Sequence, residues 1–414
     1  MAKQDVVLFM TIGTGFGPDG HENLAKGLFS SIRTLRPDFI VFFPSEGSMK
    51  TIPFVKEFAE AEYGSFQEGE DYKIVVLPNI DDFVSCFEIF ERELFQYNKD
   101  NKINIEYTSG TKTMCSAMAT LGVIYREDII AIEGKRVDGL IVEGTGTIKH
   151  QNLYKIYDKM ELGKIKGLFN DYRFTSAISF LEEIVDPDLN KNEFIKLSEA
   201  YYAWDNVDFD TAYEILTDVD MNIEQFKDVS DSLKDNLVAL GNVCNTYSEN
   251  LRDCYILASL INNSKRRAEE DKFDDAIARL YRSFELIGQN RLKKYGVNTG
   301  DVDIDLLEEK GVSKDFLDAL AKTEDDGKIK IGLIKDFKLL NELDDELGKY
   351  FMENENLIND LTHKRNDSIL AHGLKSLTED DFDKFEKVVV DLAKKFDRDM
   401  SKFLEETKFV QFDV

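Results

Sequence analysis

The 414-residue chain reads as an α/β unit built on a mostly parallel sheet, followed by an all-helical remainder. Three observations predict this. Short apolar, β-branched or aromatic runs at 6–10, 38–43, 73–77, 103–107 and 129–132 alternate with longer stretches of helical spacing, the pattern of βαβ units. After about residue 160 the strand signals fade into long amphipathic segments broken by Asp-, Asn- and Gly-containing turns. The length also exceeds one ordinary core of about 100–200 residues.

Taken in order, the five runs predict parallel strands with helices on both faces, and 138–143 and 153–157 predict edge strands, so the sheet fills about the first 150–160 residues. Ligands of such sheets gather at the carboxyl ends of the strands. A weak repeat then appears: Phe174, Ala177 and Leu181 recur as Phe209, Ala212 and Leu216 and again as Phe273, Ala276 and Leu280. Small Ala between large residues suits close helix pairing, and the uneven period predicts stacked helical hairpins rather than a solenoid. The expected boundaries are 1–158 for the α/β domain, 159–225 for a helical connector and 226–414 for a helical domain.

Composition narrows the function. Hydrophobic residues make up 43% of the chain and Pro only 6 positions, so folding throughout is expected. Cys86, Cys115, Cys244 and Cys254 form no Cys-x-x-Cys pair and have no histidine at zinc spacing, so neither a disulfide framework nor a metal site is expected. The apolar run at 6–10 is too short for a signal peptide, and no stretch approaches the roughly 20 apolar residues of a membrane span. The predicted compartment is the cytoplasm, with no membrane partner. A net charge of -28 weighs against a protein that tracks along a nucleic-acid backbone, leaving only local contacts to phosphate.

Two loops carry the signals of a ligand site. The first strand runs into Thr11-Ile12-Gly13-Thr14-Gly15-Phe16-Gly17, where backbone N–H groups can approach an anion. A tight βα turn without a ligand is the alternative, and Pro18 at the sixth position of the glycine pattern disfavours a dinucleotide fold. The fourth strand ends in Tyr107-Thr108-Ser109-Gly110-Thr111-Lys112-Thr113-Met114. Helix dipole, amides and Lys112 favour a phosphate there, whereas Thr111 and Glu106 stand where a Walker P-loop needs glycine. Ser45, after the second strand, adds a hydroxyl at the same edge.

The other candidate site is Thr362-His363-Lys364-Arg365-Asn366-Asp367-Ser368-Ile369-Leu370-Ala371-His372-Gly373. Arg365 and His372 are seven apart, which on a continuing helix puts both on one face, with Gly373 ending the helix and His372 in its last turn. Arg can hold a phosphodiester and His can move a proton; a surface salt-bridging role is the bland alternative. His363 points elsewhere, His21 and His150 have no partner that suggests chemistry, and Trp204 reads as a helix-packing aromatic.

The first-loop and fourth-strand motifs together resemble the CARF domain, the Rossmann-like sensor of type III CRISPR accessory proteins, over about residues 1–155. Ser109 stands where many relatives carry Gly. Arg365-Asn366 through Ala371-His372-Gly373 resembles the signature of HEPN ribonucleases, and the helix carrying Arg279, Tyr281, Arg282 and Glu285 resembles their partner helix. The resemblance implies a homodimer that binds cyclic oligoadenylate as activator through Thr11, Gly13, Thr14, Gly15, Ser45, Thr108, Ser109, Gly110, Thr111 and Lys112, with no further cofactor. It implies cleavage of single-stranded RNA by Arg365, His372 and Asn366, steering by Arg282, ends bearing a 2′,3′-cyclic phosphate and a 5′-hydroxyl, and in some members slow cleavage of the ring. The rivals are a non-catalytic nucleotide-sensing regulator that recruits a partner protein and a NAD-linked enzyme.

Overall fold

In the computed structural model the described residues are 5–97, 101–137, 140–141, 147–151, 153–322, 324–325 and 327–414. They divide into two units, Met1–Glu161 and Leu162–Val414.

In the first unit, β1 (Val6–Ile12), α1 (Gly20–Leu35), β2 (Phe39–Pro44), α2 (Ile52–Tyr63), β3 (Tyr72–Ile74), α3 (Phe83–Tyr97), β4 (Lys102–Glu106), α4 (Lys112–Ile124) and β5 (Asp128–Glu133) alternate along the chain. Two short strands, β6 (Arg136–Val137) and β7 (Leu140–Ile141), form an antiparallel ribbon, and β8 (Thr147–Gln151) closes the six-stranded sheet in the order β3-β2-β1-β4-β5-β8. The first five strands are parallel and β8 is antiparallel to β5. Both faces are covered: Val7 and Phe9 point into a core with Phe90, Leu94, Met118 and Leu121, while Leu8 and Met10 meet Leu28, Ile32, Val55 and Ala59. Burial on both sides is why these strands read as continuous apolar runs. The chain order reverses between β1 and β4, which opens a cleft at their carboxyl ends.

The expected edge strand at 153–157 is instead the start of α5 (Tyr154–Asn170). Five residues with apolar groups fit either period; the burial of Leu162, Ile165 and Phe169 further along shows the helical one. Of the other expected edge strand, 140–141 is β7, and 138–139 and 142–143 lie outside the described residues. The edge strand β8 contains one apolar residue, Ile148, and its solvent-facing position needs no apolar alternation.

The second unit continues with α6 (Phe174–Glu183), α7 (Lys191–Asp205), α8 (Phe209–Thr217), α9 (Ser230–Cys244), α10 (Glu249–Glu269) and α11 (Phe273–Lys294). After α12 (Ile304–Glu309), α13 (Lys314–Ala321) and a short ribbon of β9 (Glu324–Asp325) and β10 (Lys328–Ile329) come α14 (Leu333–Glu342), α15 (Glu346–Glu353), α16 (Glu355–Asn366), α17 (Glu379–Phe396) and α18 (Met400–Glu406). The Phe-Ala-Leu repeat marks three turns of one geometry. Tyr172, Val207 and Asp271 are left-handed, and the next residue in each case donates its N–H to the carbonyl five back, at Leu168, Ala203 and Arg267. That is a Schellman ending, and it leaves Ala177, Ala212 and Ala276 fully buried in the packing that follows. Val207, at φ 65°, is a β-branched residue in a conformation that clashes with Cβ. Val207→Gly is therefore expected to stabilise the helical unit by about 0.5–1 kcal/mol. A urea midpoint equal to or below that of the wild type would show the strain is absent.

The segment after α18 is drawn into the core. Phe409, Val410 and Phe412 are buried, and three amides hold the backbone: Asn170 pairs with Phe412 in both directions (2.8 and 2.9 Å), Asn236 donates to Glu406 and Lys408, and Asn262 donates to Leu404. Trp204, 2% exposed with its Nε1–H directed at Ser259 Oγ, packs against Phe409, as a helix-packing residue should.

Candidate functional site

At the reversal of strand order in the first unit lies a cavity of about 440 Å³. The loop after β1 supplies Gly13, Thr14, Gly15 and Phe16, the loop after β4 supplies Thr108, Ser109, Gly110 and Thr111, and Ser45 comes from the end of β2. The two main loops are tied together where Gly13 N–H donates to Ser109 Oγ at 2.8 Å. From behind, Thr51 Oγ donates to the Gly13 carbonyl and is itself paired with His21 Nδ1, both at 2.8 Å. His21, for which the sequence suggested no partner, thus braces the loop; His150 likewise pairs with Asp128 at 2.9 Å. Gly15 is required by geometry: its φ is +69°, and a Cβ there would sit 2.0 Å from the Gly20 carbonyl oxygen.

Thr111 caps α4, accepting from Met114 N–H and donating to the Ile80 carbonyl. Of the ligand contacts expected from the sequence, Thr11 is fully buried and Lys112 is exposed, and neither belongs to the cavity wall. Among the described residues, every side chain of that wall is uncharged. Phe16, between Gly15 and Gly17, was not among the expected contacts, yet its ring is 86% exposed at the cavity. The clue was present, since a large aromatic between two glycines at a loop tip has nothing to pack against.

In the second unit α16 ends at Asn366, and residues 367–375 form a compact turn. His372 is therefore not in a helix, which corrects the expectation of a shared helical face. The turn closes through His372 N–H to the Asn366 carbonyl (3.1 Å), Gly373 N–H to Ser368, and an ion pair between Lys375 and Asp367 at 2.7 Å. Gly373 does not cap a helix. It permits contact, because a Cβ there would lie 1.9 Å from the Asp367 carbonyl oxygen. The turn returns the His372 backbone to the end of the helix that carries Arg365.

The Arg365 guanidinium stacks on the Tyr281 ring of α11 at 4.3 Å and donates from Nη1 to Asn366 Oδ1 at 3.2 Å, while its Nε is buried without a partner. Stacking and a hydrogen bond to the Asn366 amide oxygen hold the planar fork in one orientation. Burial, followed by Glu285, pushes the Tyr281 phenol above its ordinary pKa, and Arg365 works against this. Tyr281 is thus the support under Arg365, whereas Arg282 points to Glu285 and Gln289. His372 is exposed, and around it Ile369, Leu370 and Leu374 are 64%, 53% and 91% exposed.

A parallel α/β unit with a glycine- and hydroxyl-lined cleft, joined in one chain to a helical unit that presents Arg and His at a helix end, is the architecture of a CARF–HEPN protein. A model of the Csm6 HEPN domain matches residues 248–395 and a model of the Csm6 6H domain matches 157–240, together more than half of the chain. The chain belongs to the CRISPR-associated CARF–HEPN ribonucleases of the Csm6 family. Among solved structures it is similar to Enterococcus italicus Csm6 bound to cyclic hexa-2'-fluoro-hexa-dAMP, at 15% identity and a TM-score of 0.60, over 97% of this chain and 98% of that one. No curated protein matches the sequence. Among the described residues no helix is long and apolar enough to cross a membrane.

Proposed function

We propose that the chain is a cytoplasmic endoribonuclease of type III CRISPR defence, switched on by a cyclic oligoadenylate. Residues 1–158 are the sensor, 159–225 the connector and 226–414 the ribonuclease. The observation that carries the reading is the turn that closes His372 back onto the end of α16 beside an oriented Arg365.

Arg365, held by Tyr281 and Asn366, grips the scissile phosphodiester and stabilises the charge that develops on it. An imidazole at His372 takes the proton of the RNA 2′-hydroxyl as its oxygen bonds to phosphorus, and an imidazolium returns a proton to the departing 5′-oxygen. The products carry a 2′,3′-cyclic phosphate and a 5′-hydroxyl, and the step uses these side chains without a metal. One chain has one Arg–His set, and the apolar Ile369, Leu370 and Leu374 beside it suit a second copy, so the active form is a homodimer. Arg282 steers the RNA.

In the sensor, Gly13, Thr14, Gly15, Ser45 and residues 108–111 offer amides and hydroxyls to the ring phosphates, and Phe16 offers a face for an adenine. The hydroxyls also suit slow in-line cleavage of the ring. The similarity to a Csm6 bound to a cyclic hexanucleotide supports this use of the cleft. The test is cleavage of a fluorogenic single-stranded RNA in EDTA, with and without cyclic tetra- or hexa-adenylate. One ring is expected to raise the rate about tenfold or more, and the 3′ ends should resist ligation to a 5′-phosphorylated adapter until the cyclic phosphate is opened and the phosphate removed. Folded dimer that binds a ring and cuts nothing would favour a regulator that recruits a partner.

A further inference from the structure

Behind the cavity lies a carboxyl group that the ring-binding reading leaves unused. Glu106, the last residue of β4, is 0% exposed, and its strand neighbours are Met10 on β1 and Ile130 on β5, both core residues. Its Oε1 accepts two bonds from Thr108, one from the backbone N–H at 3.0 Å and one from the hydroxyl, while Oε2 is buried without a partner. Thr108 is itself part of the cavity wall.

The electrostatics conflict with an anionic ligand. Among the described residues the wall holds no cation, so an ionised Glu106 would put a buried charge behind it, of the wrong sign for a phosphodiester ring in a medium of low dielectric. Lys112, which follows the wall residue Thr111 at the start of α4, is exposed to solvent, and the strands beside Glu106 offer no cation. β1 presents Met10 and Thr11, β5 presents Ile130, and α1 lines the cavity with Asn23, Leu24, Gly27 and Leu28. From α4 comes Cys115, whose thiol is pushed up to about 11, first by burial and then by Glu106 itself, and so is neutral.

We propose that Glu106 is a positioning residue that must be protonated for the cavity to hold a cyclic oligoadenylate, so that binding the ring takes up to one proton from solution, more as the pH rises. This rests on the reading of the cavity as the ring site. When Glu106 is ionised, the Thr108 hydroxyl hydrogen is drawn inward and only its lone pairs can face a phosphate. When Glu106 is protonated, its own O–H donates to Thr108 Oγ, and the threonine hydrogen is released to point into the cavity. Burial pushes the Glu106 carboxyl up to about 7, against the opposing effect of the Thr108 bonds, so the exchange falls in the neutral range.

The sign follows from linkage. An anion in the cavity raises the pKa of Glu106, the complex therefore binds more protons than the free protein, and affinity falls as pH rises. Calorimetric titration of full-length protein with cyclic tetra- and hexa-adenylate, from about pH 6 to about pH 8.5, should show the dissociation constant rising up to about tenfold per pH unit above neutrality. The apparent heat should also vary with the ionisation enthalpy of the buffer, as proton uptake requires. Glu106→Gln, neutral at every pH, should bind tightly throughout, with no pH slope and no buffer dependence. A pH-independent affinity in the wild type, or the same slope in Glu106→Gln, overturns the role of Glu106 and leaves the ring site standing. Failure of both proteins to bind either ring at any pH overturns the ring site itself. The buffer dependence of the wild type needs no variant, so a misfolded Glu106→Gln would still leave a decisive measurement.

Discussion

His372→Ala is expected to lower ring-stimulated RNA cleavage by about 10²–10⁴-fold, the usual contribution of a general acid–base group, while leaving ring affinity unchanged. The side chain is exposed, and the turn uses only its backbone N–H, which alanine retains. The loss would therefore report chemistry rather than folding. Arg365→Ala should be as inactive but less clean, because it also strips the cation from the Tyr281 ring and removes the donor to Asn366. Single-turnover cleavage of a short RNA at saturating ring, with ring binding measured beside it, separates these effects. Wild-type cleavage by His372→Ala would sink the catalytic assignment.

Asp205→Ala is expected to destabilise the helical unit by about 3–5 kcal/mol, the cost of leaving a buried charge unpaired. Asp205 ends α7, and its carboxylate accepts from Arg266 Nε at 2.8 Å, Arg267 Nη2 at 2.7 Å and Asn263 Nδ2 at 3.0 Å. Arg266 is 4% exposed and lies 3.6 Å over the Phe409 ring. Burial pulls its pKa below the ordinary guanidinium value, and Asp205 is the chief force holding its charge. Without that carboxylate, the guanidinium must either stay buried unpaired or force its way out between α10 and the C-terminal segment. Asp205→Asn, which keeps acceptor and volume, should lose less. Denaturation midpoints of the two variants test this, and an Asp205→Ala midpoint equal to that of the wild type would show that water or another group pairs Arg266.

The parallel sheet was legible because its strands are buried on both faces and so stand out as apolar runs, and the helical hairpins because Phe, Ala and Leu repeat at each Schellman turn. The motif around Arg365 and His372 was equally visible as a spacing. Its shape was not. Seven residues fit two helical turns, and only the folded structure, with His372 N–H on the Asn366 carbonyl and Gly373 close against Asp367, shows that the chain folds back instead. The solvent-facing edge β8 was missed because it lacks the alternation that burial imposes.

By itself the sequence determined what depends on neighbours along the chain: the period of each element, the glycine- and hydroxyl-rich loops, and the residue types needed to hold phosphate and move a proton. Only the tertiary structure decided what depends on distant partners. It buried Thr11 outside the cavity wall and set Phe16 at the cavity, placed Tyr281 beneath Arg365 across 84 positions of sequence, paired Asp205 with Arg266 and hid Glu106 behind a wall whose described residues carry no charge. The physical reason is that hydrophobic periodicity is a local signal, whereas burial, charge compensation and the pKa of a carboxyl are set by whatever the whole fold brings alongside.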